Sequence, residues 1–156
     1  MNEAKEREKQ IMRKQNEEII VKAVEFLEDV DQDKIIDFLD EEKNAQIVDR
    51  EVVKSKKNVI HAVKETEKAY EQGNEISHVE TIGILLRLVG TRQISEAIEK
   101  AKVKGKEAVF ISFGSNSNER WEEFKEKFKI KEKELPKASE EEIKKEMEKA
   151  STFWIR

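Results

Sequence analysis

The chain predicts an α/β fold: a single domain in which a small mixed β-sheet packs with about five to six helices. Three observations carry this. Short apolar or β-branched runs alternate with longer stretches of helical periodicity. The length, 156 residues, suits one domain and is enough to bury a core without disulfides or metal. One proline and five glycines, with no internal repeat, leave no linker that would divide the chain.

Residues 1–17 are charged almost throughout and read as a polar helical extension or a disordered tail. Residues 18–156 form the domain. Glu18–Phe26 is apolar and partly β-branched, the first strand. Asp31 opens a helix with Ile35, Ile36 and Leu39 on one face and acids early, where the helix dipole favours them. Ala45–Val48 is a short strand. Val59, Val63 and Tyr70 mark a helix that stops at Gly73. Val79–Val89 is apolar nearly all round, so it is the most buried helix, ended by Gly90. Ile94, Ala97, Ile98 and Ala101 form the stripe of a short helix. Ala108–Phe113 is a buried strand closed by Gly114-Ser115-Asn116, a turn composition. Trp121, Phe124 and Phe128 mark an amphipathic helix, and the charged run Lys129–Leu135 suits an edge strand. A capping box at Ser139–Glu142, after Pro136, starts a last helix whose core face is Ile143, Met147, Ala150 and Trp154.

Composition excludes several chemistries. There is no cysteine, hence no disulfide, thiolate zinc site or cysteine nucleophile. His61 and His78 are isolated, and no His-Glu-x-x-His pair exists. No metal site is expected. Phe113-Gly114-Ser115-Asn116 lacks the lysine of a phosphate-binding loop, and Gly105 stands alone, so no nucleotide cofactor is expected. Nothing singles out a catalytic residue, although a triad assembled from distant positions leaves no mark in a sequence. No apolar run approaches a membrane span, and Met1–Asn16 has no apolar signal core. The expectation is a cytoplasmic protein.

Charged residues make up 42% of the chain, a composition common on thermophile surfaces. Their distribution is uneven. Residues 1–49 hold 8 basic and 15 acidic side chains (net −7); residues 50–106 hold 12 and 8 (net +4); residues 107–156 hold 11 and 12 (net −1). An anionic partner should therefore touch the middle segment. Lys54, Lys56, Lys57 and Lys64 lie before and within one helix, Arg87 interrupts the apolar helix, and Arg92 follows Gly90. These cations can converge on phosphates; alternatively, Arg87 pairs with Glu80 or Glu96.

The block from Asn58 to Phe113 resembles the small regulatory subunit of the KEOPS complex, the PRPK-binding-protein family. The resemblance rests on Val59-Ile60-His61-Ala62-Val63, on Leu85-Leu86-Arg87-Leu88-Val89-Gly90-Thr91-Arg92-Gln93-Ile94-Ser95-Glu96-Ala97-Ile98, and on the strand Val109–Phe113. Ala45-Gln46-Ile47-Val48-Asp49 matches more loosely. Val89 stands where the family often has Ser, and Gly83 where it often has Glu. The resemblance implies a non-enzymatic subunit that contacts the complex's small kinase/ATPase subunit. It also implies binding of tRNA at the 3′ CCA end, in support of threonylcarbamoyladenosine modification carried out by other subunits. On this reading Lys56, Lys57, Lys64, Arg87 and Arg92 line a basic groove for tRNA. Leu88, Ile94 and Ile98 contribute an apolar patch for the kinase subunit, unless they are ordinary core. No membrane and no small-molecule substrate are expected. The alternatives are a protein-interaction adaptor that never meets RNA, and an enzyme with a site built from scattered residues.

Overall fold

The computed structural model describes residues 19–42, 44–73 and 80–135, together with residues 141, 144, 145 and 148. Four strands and five helices follow one another along them, with three helices in succession between the second and third strands. They are β1 (Ile20–Phe26), α1 (Gln32–Glu41), β2 (Ala45–Asp49), α2 (Lys56–Glu71), α3 (Glu80–Val89), α4 (Ile94–Ala101), β3 (Glu107–Ser112), α5 (Ser117–Lys127) and β4 (Ile130–Lys133). A short 3-10 turn, Arg50–Val52, links β2 to α2. The α/β class read from the sequence is the one observed.

The sheet order is β2-β3-β1-β4, and every pairing is antiparallel. The sheet expected to be mixed is therefore antiparallel throughout. The strand–helix–strand run β1-α1-β2 does bring both strands up in the same direction, but β3 is inserted between them. Val24 and Val48 each face β3, at Ala108 and Val109.

Side chains alternate across the sheet, as the pleat requires, and each face has its own core. On one face Val21, Val48, Val109 and Ile111 meet Val59 and Val63 of α2, Ile84 and Leu88 of α3, and Ala97 of α4. On the other face Ile20, Val24, Ile47 and Phe110 meet Phe38 of α1 and Trp121, Phe124 and Phe128 of α5. That second core is mainly aromatic; the Phe110 and Phe124 rings stack at 4.8 Å. Burial on both faces explains why the inner strands read as almost continuous apolar runs. β4 is exposed along three of its four residues and pairs with β1 through Lys22–Glu132 and Lys133–Glu25 as well as through its ladder.

Local chemistry sets the element ends. Asp31 accepts from the Lys34 N–H at 3.2 Å to cap α1, and Ser55 Oγ accepts from the Asn58 N–H at 3.1 Å to cap α2. α3 ends where Gly90 takes φ 80°; the Gly90 and Thr91 N–H groups both donate to Leu86 O. The last helix expected from the sequence falls largely outside the described residues; Glu141, Lys144, Lys145 and Glu148 are helical and exposed. No helix among the described residues is long and apolar enough to cross a membrane.

Candidate nucleic-acid interface

The antiparallel pairing of β2 with β3 puts the exit of β2 and the entrance to β3 at one end of the sheet. Two basic segments meet there. Residues 50–57 hold four cations (Arg50, Lys54, Lys56, Lys57) and one acid (Glu51), net +3; residues 99–106 hold four lysines and one acid (Glu99), also net +3. Asp49 ties them together. One carboxylate oxygen accepts from the Lys104 N–H at 3.0 Å and the other from the Glu51 N–H at 3.1 Å. Asp49 is only 6% exposed, so its charge goes into the clasp rather than towards solvent.

Lys54, Lys56, Lys57, Lys102 and Lys104 are all exposed around this clasp. Lys56 and Lys57 occupy the first turn of α2, which contains no acid. The positive end of the helix dipole and two ammonium groups thus reinforce each other. That arrangement is unfavourable for the helix and favourable for an anion. Acids also share this end of the sheet: Glu107 is exposed beside Lys106, Lys106 pairs with Asp29 at 4.0 Å, and Lys129 pairs with Glu28 at 3.0 Å.

The five cations read from the sequence do not all join this surface. Lys56 and Lys57 are at its centre. Lys64 is exposed but two turns along α2, about 12 Å from Lys56 at the helical rise. Arg92 is exposed and precedes α4, a helix-length away from Lys102. Arg87 is not part of this surface: it is 1% exposed, lies between Leu86 and Leu88 on a buried helix, and donates from Nη1 to Gly83 O at 3.2 Å. A guanidinium so placed cannot reach a phosphate of a bound strand. Glu96, one of its suggested partners, is held by Lys100 and Thr91, whose hydrogen bonds, Lys100's first, keep its carboxyl below the usual carboxylate range. Lys102 and Lys104 were not singled out by the sequence; the signal lay in their spacing two residues apart just before a strand.

Acidic side chains gather near the other end of the sheet, where β3 leads into α5. A cleft of about 510 Å³ between Glu42 and α5 is lined by Glu119, Glu122, Glu123 and Glu126. Its one cation, Arg120, is 8% exposed and turned inward. Arg120 Nε donates to Ser112 Oγ at 2.9 Å, and Nη2 donates to Phe113 O and Ser115 O. These bonds hold the turn in which Gly114 (φ 74°) and Asn116 (φ 65°) are left-handed. Burial lowers the Arg120 pKa, against the pull of Glu42 and Glu119. Its role was unread in the sequence, where the one clue was a cation in the first turns of a helix, against the dipole.

The apolar patch is likewise only partly as expected. Leu88 is 2% exposed and belongs to the core, because α3 buries that face against the sheet and α2. Ile94 and Ile98 are 40% and 48% exposed, one turn apart on the outer side of α4, since Ala97 and Ala101 take its inner side. Ile98 borders a cleft of about 640 Å³ whose other walls are Ile36 and Leu39 of α1 and Ile82 and Leu85 of α3, with Gln46 of β2 at the bottom.

Among the described residues no group of three or more His, Asp or Glu side chains could hold a metal ion. Comparison of the sequence with models of known families and with curated proteins finds no match.

Proposed function

We propose that this chain is a non-catalytic, tRNA-binding subunit of the KEOPS type, acting in the cytoplasm. It would hold the 3′ CCA end of tRNA at its basic end and contact the kinase/ATPase subunit through an apolar surface. The observation that carries the RNA half is the Asp49 clasp, which joins two segments of net +3 each at one end of the sheet. The acidic cleft beside α5 supports the same orientation by repelling a polyanion from the other side. The sequence resemblance over residues 45–113 names the class of complex.

The ligand is a single-stranded end rather than a duplex on physical grounds. The cations gather at one corner of the domain instead of along a continuous stripe. Few aromatic rings are exposed near them, which weighs against tight single-strand binding. Affinity from such a surface is electrostatic and modest, and is raised by linkage to the rest of a complex.

An electrophoretic shift with intact tRNA, and with tRNA lacking CCA, tests the reading. Lys56→Glu/Lys57→Glu and Lys102→Glu/Lys104→Glu should each weaken binding of intact tRNA by about tenfold or more, with a wild-type salt slope of roughly −3 for four phosphate contacts. Equal retention of the two RNAs would remove the CCA end from the proposal. Unchanged binding by both charge-reversed variants would remove RNA altogether.

A further inference from the structure

Four large apolar side chains are exposed among the described residues, and three of them, Ile36, Ile94 and Ile98, lie in or alongside the cleft over the β2 edge. The walls of that cleft are helix faces: Ile36 and Leu39 from α1 on one side, Ile82 and Leu85 from α3 and Ile98 from α4 on the other. Strand addition is closed off there. β2 is buried along all five residues, and its Ile47 N–H, off the ladder with β3, already donates to Gln46 Oε1 at 3.2 Å. The Gln46 amide in turn donates to Thr81 O at 3.4 Å. With that amide committed, the cleft offers few free polar groups to orient a small molecule.

Charge supplies the second half of the argument. Asp33, Asp37 and Asp40 are exposed on α1 at spacings of four and three, so they form a row along the rim next to Ile36. Among the described residues none of the three makes an ion pair. An apolar groove between helices, edged on one side by a row of carboxylates, fits a helix of matching pattern.

We propose that this cleft is a docking site for an amphipathic helix of a partner protein that carries lysines or arginines along one flank of its apolar row. The inference extends the protein-binding half of the reading above to a surface and a partner chemistry. Its test uses neither tRNA nor a kinase subunit, so each can fail alone.

Fluorescence anisotropy with the full chain and two labelled helical peptides is the experiment. Both peptides carry leucines at i, i+4, i+7 and i+11; one has lysines on the flank, the other glutamates. The lysine peptide should bind about tenfold tighter than the glutamate peptide. Ile98→Glu and Ile36→Glu should each abolish binding while the circular dichroism spectrum and Tm stay at the wild-type level. Asp37→Lys/Asp40→Lys should reverse the preference between the peptides. Equal binding of the two peptides, or binding indifferent to both isoleucine variants, overturns the proposal. So does a sedimentation dimer that Ile98→Glu dissolves, which would give the face to a second copy. An affinity that rises about tenfold when residues 1–18 are deleted overturns it too, by giving the cleft to the chain's own extension.

Discussion

Replacing Asp49 by alanine removes both acceptors that join the basic segments. A hydrogen bond to a charged group contributes about 1.5–3 kcal/mol net, and two are lost, from Lys104 N–H at 3.0 Å and Glu51 N–H at 3.1 Å. Residues 51 and 104 are themselves exposed, so water can replace part of the loss. The lower end of the range applies, roughly 2–3 kcal/mol in total. For a chain of this size that is a fall in Tm of about 5–10 °C. The RNA effect has a sign that separates geometry from charge. Asp49→Ala deletes a negative charge beside five lysines, so a bare charge count predicts tighter tRNA binding. If the clasp matters because it holds two cationic segments together, binding instead weakens, by about fivefold or roughly 1 kcal/mol. Thermal denaturation followed by circular dichroism gives the first number, and a tRNA shift below the variant's Tm gives the second. Asp49→Asn, which keeps one carbonyl acceptor, should fall between the two proteins in stability. A Tm within about 1 °C of wild type, or tRNA bound more tightly by the alanine variant, would refute the reasoning.

Arg120→Ala should cost about 3 kcal/mol in urea denaturation, because three bonds to Ser112, Phe113 and Ser115 disappear and two of the acceptors, Ser112 Oγ and Phe113 O, are left buried. Arg120→Lys should recover only part of it, since an ammonium cannot reproduce the fork; a loss below about 1 kcal/mol for alanine contradicts this role. Glu96 should titrate by NMR below the usual carboxylate range, and Lys100→Ala should move its midpoint upward. The sign follows from a lowered folded-state pKa: any stability from this group is present above the ordinary carboxylate pKa and fades as pH falls through the lowered one. A midpoint that does not respond to Lys100→Ala would disprove the pairing.

The strands and helices were legible because local chemistry and long-range packing agree in them. Asp31 caps a helix in the sequence and in the fold, and Ala108–Ile111 is apolar because both of its faces are covered. The strand order was not legible. Nothing in β1 or β2 records that a strand some sixty residues downstream of β2 will slide between them. Arg87 shows the limit most clearly. A cation in an apolar helix must reach a partner, but whether that partner is a phosphate or the interior is settled by where α2 and the sheet sit. Leu88 was unreadable for the same reason. Lys56 and Lys57 were visible as a charge run. Their union with Lys102 and Lys104 depends on one carboxylate, Asp49, that looked like the end of a strand and nothing more. The cleft over β2 draws on four separate elements, so no window of sequence contains it.

The insertion of β3 also governs how the chain is made. Val24 pairs with Ala108, 84 positions later, and the other neighbour of β1 comes later still. At ribosomal speeds of about 5–20 residues per second, the first strand waits roughly 4–17 s for any partner. During that interval the apolar stretch Ile20-Val21-Lys22-Ala23-Val24 has no strand to pair with. A chain cut short before residue 107 therefore has nothing to complete its first strand.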